Sequence, residues 1–243
     1  MKKLLLFSIV AVQVLSGQSI QNAEDLVKAM HDRYVNKWYK TLTFVQKTTQ
    51  YRGDTTIATW YESFSFPGTM RIDQDSVGSN GIIISDDTLH VIREGKLSST
   101  RHFVHSLLLL GFDVYFLQPL QTLAKLRTIG PDLAIIREDT WQGRPVYVVG
   151  AGAEDLHSPQ FWVDKERLYF VRMLEPAGAT GKQTRETQFN KYTRLATGWI
   201  AAEVIFKVDG KVLMTEEYSQ LRANPKLNRD HFDPGHFQST RWR

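Results

Sequence analysis

The sequence predicts a mainly β (α+β) domain built on an antiparallel sheet of about 11 strands that does not close fully. From Leu42 onward, short runs rich in β-branched and aromatic residues are separated by turn residues, and the clearest hairpin signals are Arg52-Gly53-Asp54, Gln142-Gly143-Arg144 and Asp209-Gly210-Lys211. Because these hairpins follow one another with no helix between them, antiparallel pairing is favoured over a parallel sheet. The 6 Trp, 9 Tyr and 13 Phe residues are too bulky for a small closed barrel, which favours an incompletely closed sheet around a helix or a ligand.

Residues 1–17 are predicted to be an export signal. Lys2 and Lys3 precede an uncharged apolar run from residue 4 to residue 15. This run is shorter than the roughly 20 residues that a membrane-spanning helix needs, so we expect cleavage near residues 16–18. Gln18 stands where a bacterial lipoprotein signal would be followed by the lipid-bearing Cys, so no lipid anchor is expected. Residues 18–243 are predicted to form a single domain.

Composition excludes several classes of function. The formal net charge is +4, and removing Lys2 and Lys3 with the signal leaves 28 basic residues against 26 acidic ones. This balance argues against a nucleic-acid partner, which needs clustered excess Lys and Arg. The chain has no Cys, so disulfides, thiolate metal sites and Cys nucleophiles are excluded. An exported domain without disulfides must be stabilised by the size of its core, which favours the bacterial periplasm over a small extracellular module.

An amphipathic helix is predicted over residues 22–38, at the start of the mature chain. Apolar residues recur at helical spacing on one face, Asn22 is a suitable N-cap, and Glu24 and Asp25 fall in the first turn.

The candidate strands follow this helix as a meander. They are residues 42–51, 57–66, 69–74, 81–85, 88–93, 96–101, 133–139, 144–149, 160–163, 168–174, 183–192, 200–208 and 211–221.

The segment of residues 104–126 interrupts the meander and is the most apolar part of the mature chain. It is too short to span a membrane, and Pro119 favours two short helices or a helix with a break. One interpretation is a helical connection packed on the sheet, and the other, compatible with it, is a lid over an apolar cavity. The candidate lid residues are Leu107, Leu109, Leu110, Phe112, Phe116 and Leu120.

Motifs that would indicate catalysis or a cofactor are incomplete. After Gly150-Ala151-Gly152, Asp155 replaces the third glycine of a dinucleotide loop, and Gly178–Lys182 lacks the first glycine and the Ser or Thr of a phosphate loop. His231 and His236 have no metal-ligand spacing and are expected in a solvated tail. No G-x-S-x-G elbow or nucleophile–base pair is present. We therefore predict that the protein is not an enzyme and uses no cofactor or metal.

Period-two alternation places large apolar side chains on one shared face of the predicted sheet. Either these side chains pack against one another as a filled core, or they line a cavity large enough for a lipid. The sequence alone leaves both interpretations open. The candidate cavity residues are Phe44, Trp60, Phe64, Met70, Ile72, Val91, Phe161, Val171, Met173 and Phe206.

The order of elements and several short motifs resemble the LolA/LolB-like superfamily of periplasmic lipoprotein carriers and receptors. The matching motifs are Phe44-Val45-Gln46, the run Ser65-Phe66-Pro67-Gly68-Thr69-Met70-Arg71-Ile72, the run Ile83-Ile84-Ser85-Asp86-Asp87-Thr88-Leu89, Trp162-Val163-Asp164, residues 218–224 and Phe232-Asp233-Pro234. The likeness covers nearly the whole mature chain. It implies an open antiparallel half-barrel whose concave apolar face is covered by helices and receives acyl chains.

One position departs from that family. In the lipoprotein carrier an arginine precedes the strand-ending proline and helps to hold the lid closed, whereas Phe66 precedes Pro67 here. The ligand is therefore either the acyl chains of lipoproteins or another lipid. The expected function is a soluble, monomeric periplasmic carrier that works between a membrane donor complex and an outer-membrane acceptor. The alternative is a non-catalytic envelope sensor or regulatory module on the same fold.

Overall fold

The computed structural model describes residues 19–240 and residue 242, so the predicted signal peptide lies outside the described residues. The described chain contains three α-helices, which are α1 (Ala23–Tyr34), α2 (Ser106–Gly111) and α3 (Pro119–Ile129). Three 3₁₀ turns accompany them, at Asp113–Tyr115, Arg229–Phe232 and Pro234–His236. None of the helices in residues 19–240 is both long and apolar enough to cross a bilayer.

Thirteen strands form one sheet in the described part of the chain. They are β1 (Thr41–Gln50), β2 (Thr56–Ser65), β3 (Thr69–Gln74), β4 (Asn80–Ser85), β5 (Thr88–Arg93), β6 (Lys96–His102), β7 (Asp132–Trp141), β8 (Arg144–Gly150), β9 (Gln160–Asp164), β10 (Phe170–Ala177), β11 (Gln183–Leu195), β12 (Gly198–Val208) and β13 (Lys211–Ala223). Each candidate run from the sequence forms one of these strands, so the sheet is larger than the about 11 strands expected.

The strand order is β6-β5-β4-β3-β2-β1-β13-β12-β11-β10-β9-β8-β7, and every neighbouring pair is antiparallel. Neighbours in the sheet are neighbours in sequence except for β1 and β13. The sheet is open, with β6 and β7 at its two edges, and the helical segment that connects these edges is called the insert (residues 103–131). The predicted fold class, a mainly β open antiparallel sheet with an N-terminal helix and a helical insert, is confirmed.

Helix α1 begins where the sequence predicts and ends four residues early. The Asn22 side chain accepts a hydrogen bond from the backbone N–H of Asp25 at 2.8 Å, as an N-cap does. The helix ends at Tyr34 instead of continuing to Trp38 because Asn36 adopts a left-handed backbone conformation with φ of 63°. Trp38 nevertheless stacks on Tyr115 of the insert, with ring centroids 4.0 Å apart.

The insert is broken where the sequence predicts a break. Pro119 occupies the first turn of α3, where its missing N–H costs nothing, and Gly130 ends that helix with φ of 103°. Helix α1 packs against α3, against the 3₁₀ turn of the insert and against β7. Together they cover the half of the apolar face that belongs to the strands near β7.

The C-terminal tail (residues 224–242) packs on the opposite face of the sheet, so the expectation of a solvated tail is wrong. His231 is buried and its ring nitrogen Nε2 lies 2.8 Å from the Ser63 hydroxyl, although His236 is exposed as expected. Phe237 is also fully buried. The tail is held against the sheet because its backbone carbonyls accept hydrogen bonds from a buried side chain on β3.

That partner is Arg71, whose side chain is fully buried. Its Nε and Nη2 form a double hydrogen bond with the Asp73 carboxylate at 2.7 and 2.8 Å. Its Nη2 and Nη1 also donate to the carbonyls of Phe237 at 2.8 Å and His231 at 3.2 Å. The guanidinium lies 4.0 Å from the centroid of the Phe237 ring. A buried cation with all these partners fixes the tail to the sheet.

Replacing Arg71 with Met should lower the free energy of unfolding by about 3–5 kcal/mol, because Asp73 would be left as a buried, unpaired charge. Urea denaturation followed by circular dichroism measures the change. Lys47→Met, which breaks the exposed pair of Lys47 with Glu217, is the control and should leave the urea midpoint unchanged. Equal midpoints for the two variants would contradict the assigned role of Arg71.

Candidate ligand cavity

A cavity of about 280 Å³ lies between the insert and the β1–β4 and β11–β13 part of the apolar face. It is lined by Phe44, Trp60, Glu62, Met70, Ile72, Ile82, His105, Leu107, Leu108, Phe112, Phe189, Ile200, Ala201, Val204, Phe206, Met214, Glu216 and Tyr218. Its volume is just below the range of about 300–1,000 Å³ that is usual for small-molecule sites. The cavity therefore has the size of one narrow apolar ligand.

Five of the ten candidate cavity residues line this cavity, and five do not. Phe44, Trp60, Met70, Ile72 and Phe206 are among the lining residues. The others are Phe64, Val91, Phe161, Val171 and Met173.

The residues outside the cavity have other neighbours. Phe64 lies beneath Phe112, with ring centroids 4.6 Å apart. Phe161, Val171 and Met173 on β9 and β10 are buried in the common core. Val91 is half-buried on β5 and packs at the edge of that core. The apolar face is thus filled on one side, where α1 and the insert cover it, and hollow on the other.

The candidate lid residues also differ in where they lie. Leu107 and Phe112 line the cavity, together with Leu108. Leu109 and Leu110 are buried in the core away from the cavity. Phe116 packs on Phe66 with ring centroids 4.7 Å apart. Leu120 is 69% exposed and covers nothing, because it lies on the outer face of α3.

Besides the Phe64–Phe112 ring contact, three further contacts hold the insert against the strands. The first is the Phe66–Phe116 ring contact. The second is a hydrogen bond of 2.9 Å from the Gly68 backbone N–H to the Asp113 carboxylate. The third is the ion pair between Lys125 of α3 and Asp87. Asp87 lies in the turn between β4 and β5, with φ of 54°.

Two acidic side chains stand on the wall of the cavity, and sequence reasoning missed both. Glu62 is 3% exposed and Glu216 is 8% exposed. Burial raises the pKa of Glu62 well above its usual value, and the nearby Glu216 carboxyl raises it further. Burial also raises the pKa of Glu216 to about 7, against the opposing effect of the hydrogen bond that Tyr218 donates to it at 2.7 Å. The period-two pattern of β2 and β13 contains the signal that would have identified them, since each acid lies two residues from side chains that face the cavity.

A more polar depression of about 420 Å³, called the mouth, adjoins the cavity and shares His105, Leu107, Phe206 and Met214 with it. Arg52, Glu175, Arg185 and Lys207 lie around it. His105 caps α2, because its Nδ1 accepts the Leu108 backbone N–H at 3.2 Å. Burial lowers the pKa of His105 to about 4, so the ring is neutral at physiological pH. No group of His, Asp and Glu side chains within residues 19–240 is arranged to hold a metal ion.

Comparison with known proteins finds the fold but no sequence relative. No protein-family model and no curated protein matches the sequence. A DUF1329 family protein from Desulfovibrio piger has a TM-score of 0.59 at 15% identity, over 89% of this chain and 98% of that one. A LolA superfamily protein from Nitrosomonas europaea has a TM-score of 0.56 at 10% identity, over 88% of this chain and 98% of that one.

A third structure, described as an outer-membrane lipoprotein-sorting protein domain from Vibrio parahaemolyticus, has a TM-score of 0.58 at 13% identity, over 89% of this chain and all of that one. The chain has a LolA-like fold. The resemblance predicted from the motifs is confirmed at the level of the fold. In this LolA-like fold the cavity lies on the concave face of the sheet, beneath the helical insert.

Replacing Asp113 with Asn should weaken the pH dependence of stability. Burial raises the pKa of Asp113 to about 7, so the folded protein binds a proton that the unfolded chain has lost above about pH 4. The contribution of protonated Asp113 to the free energy of unfolding is therefore full at low pH and is lost as pH rises toward 7. Between pH 5 and pH 8 the free energy of unfolding of the wild type should fall by about 2 kcal/mol more than that of the Asn variant. Urea denaturation at the two pH values measures this, with Asp54→Asn in the exposed β1–β2 turn as control. Parallel pH dependence in wild type and Asp113→Asn would rule out this account of Asp113.

Proposed function

We propose that the protein is a non-catalytic periplasmic carrier that holds one acyl chain of a lipid or lipoprotein in the cavity between the insert and the sheet. The observation that carries the proposal is a mostly apolar cavity left open on one half of the concave face, while the other half is packed solid. The LolA-like fold and the sorting role in the description of one structural neighbour support it.

Burial of the chain supplies the affinity. Each methylene moved from water into an apolar site contributes about 0.8 kcal/mol, so ten methylenes contribute about 8 kcal/mol before entropic costs. With about 280 Å³ the closed cavity has room for one chain. A lipid with several chains requires the insert to move outward.

The insert is placed to move without disturbing the sheet. It connects the two edge strands β6 and β7, so no strand pairing crosses it. Near the cavity it is held by the Phe64–Phe112 and Phe66–Phe116 ring contacts and by the Gly68–Asp113 and Asp87–Lys125 contacts, each of which is non-covalent and can open and close again. Cargo that replaces the insert against the apolar wall would shift a two-state equilibrium toward the open form.

The cellular setting of this proposal comes from the sequence. The predicted export signal supports a periplasmic setting for the mature chain. A carrier of acyl chains there would receive its cargo from a membrane donor complex and deliver it toward an outer-membrane acceptor. Native mass spectrometry of protein purified without detergent tests the proposal directly. A protein that never carries lipid and refuses alkyl probes would refute it.

Replacing Ala201 with Phe should lower the affinity for an alkyl probe at least tenfold, because Ala201 is buried on the cavity wall and a ring there fills the space. Fluorescence of an uncharged naphthylamine dye on binding is the measurement. The matched control is Ala134→Phe on β7, where the side chain is exposed and should leave affinity unchanged. Unaltered dye binding in a folded Ala201→Phe variant would show that the ligand binds elsewhere.

Replacing Lys125 with Gln should speed loading of the dye about two- to fivefold, because the pair with Asp87 contributes about 0.5–1 kcal/mol to the closed insert. Stopped-flow fluorescence measures the association rate. Lys28→Gln, which breaks a surface pair with Asp32 on α1, is the control and should load at the wild-type rate. If Lys125→Gln also loads at that rate, the insert does not gate the cavity through α3.

A further inference from the structure

The two acids of the cavity wall lie on strands that both pair with β1. Glu62 on β2 is opposite Phe44 of β1 and Ile72 of β3. Glu216 on β13 is opposite Thr48 of β1 and Val204 of β12. Met214, two residues before Glu216, belongs to the mouth, so Glu216 stands about 7 Å inside the entrance. Both acids line the cavity, and Glu62 lies deeper than Glu216, because its partner Phe44 is four residues further from the mouth along β1 than Thr48.

No cation balances these acids within the described cavity lining. The lining residues that titrate are Glu62, Glu216, His105 and Tyr218. His105 is neutral, and the Tyr218 hydroxyl donates to Glu216. The strands and the insert contribute otherwise uncharged side chains to the lining. Gln46 of β1, beside Tyr218 in register, is also uncharged, and its side chain hydrogen-bonds Glu216. Among residues 19–240 no group donates a hydrogen bond to the Glu62 carboxyl, which is 3% exposed.

The charges of the mouth are engaged elsewhere. Arg185 pairs with Glu175 at 2.9 Å, and Lys207 lies 4.0 Å from Glu186. Arg52 is exposed in the β1–β2 turn. None of these three residues lines the cavity. Inside the cavity an ionised carboxylate would have no compensating charge, whereas a protonated carboxyl group has an O–H that needs an acceptor.

We propose that Glu62 and Glu216, at two depths of the cavity, act as protonated hydrogen-bond donors to carbonyl oxygens of the bound lipid, so that the cavity selects acyl esters and amides over plain hydrocarbons and cationic amphiphiles. This inference rests on the proposed function and names the chemistry of its ligand. An acyl carbonyl accepts the O–H bond that the empty cavity leaves unmade, and leaving such a group unpaired in an apolar site is costly. A hydrocarbon offers no acceptor, and a quaternary ammonium offers only a charge.

The same groups make binding depend on pH. Burial raises the pKa of Glu216 to about 7, so this acid is neutral below that pH, and burial raises the pKa of Glu62 well above its usual value. As pH rises past 7, Glu216 ionises in the empty protein, and binding of an uncharged chain requires it to take up a proton again. Affinity for an uncharged acyl ester should therefore fall about tenfold between pH 6 and pH 8. Affinity for a permanent cation should rise over the same interval.

The experiment uses three dodecyl probes whose own charge does not change with pH. Methyl dodecanoate, dodecane and dodecyltrimethylammonium each compete with the uncharged naphthylamine dye on the mature chain at pH 6 and pH 8. At pH 6 the ester should bind several-fold more tightly than dodecane, and dodecane more tightly than the cation. At pH 8 the ester should weaken about tenfold and the cation should strengthen. This series needs no variant.

Two double variants separate charge from hydrogen bonding. Glu62→Gln with Glu216→Gln keeps N–H donors and should bind the ester equally at both pH values. Glu62→Leu with Glu216→Leu removes the donors and should lose the preference for the ester over dodecane. Glu217→Gln is the control, because Glu217 is exposed on β13 and pairs with Lys47 outside the cavity. It should behave as wild type.

The outcomes distinguish the two levels of the proposal. If the ester and dodecane bind with equal affinity and no pH dependence, the roles of Glu62 and Glu216 are overturned while the carrier function stands. If the cation is the tightest ligand at pH 6, the acids are ionised and the assignment of an acyl carbonyl is wrong. If neither the dye nor any probe binds, the proposed function itself fails.

Discussion

The pairing of β1 with β13 is the contact on which the rest of the structure depends. It is the one pairing within the described sheet that joins strands distant in sequence, and it turns two meanders into a single sheet. Because the ends of the strand-forming chain meet at the centre, the middle of the chain connects the two outer edges, β6 and β7. The insert must then cross the open face of the curved sheet. A cover for the apolar face is thus a consequence of topology, and it requires no additional domain.

The same pairing separates a rigid wall from a movable cover. β1 lies between the strands that carry Glu62 and Glu216. On the other face of β3, Arg71 is anchored to Asp73 and to the tail, directly between the cavity residues Met70 and Ile72. One face of this strand is therefore fixed by a buried ion pair while the other lines the cavity. Near the cavity the insert is held by two ring contacts, one hydrogen bond and one ion pair, which are weaker restraints than a strand pairing.

The sequence predicts well what is local and poorly what depends on distant partners. Alternation and turn residues locate the strands, and Asn22 and Pro119 mark helix starts, because these signals act within a few residues. Alternation also tells which face a side chain takes, but not what covers that face. Phe161, Val171 and Met173 share a face with the cavity residues, yet α1 and the insert fill the space above them. The buried tail was missed because its partner, Arg71, lies about 160 residues away in the chain.

Glu62 and Glu216 are where local rules and the observed structure disagree most. An acid on the apolar face of a strand costs stability, and an apolar residue of similar size would avoid that cost. Among the described residues no group donates a hydrogen bond to the Glu62 carboxyl, so the cost of its burial is not offset there. Groups of this kind are retained where a ligand uses them, and perturbed acids in a cavity are characteristic of functional sites. Asp113 of the insert has a pKa raised by burial to about 7, as Glu216 has. Burial therefore disfavours ionisation of Glu216 in the wall and of Asp113 in the cover over the same pH range.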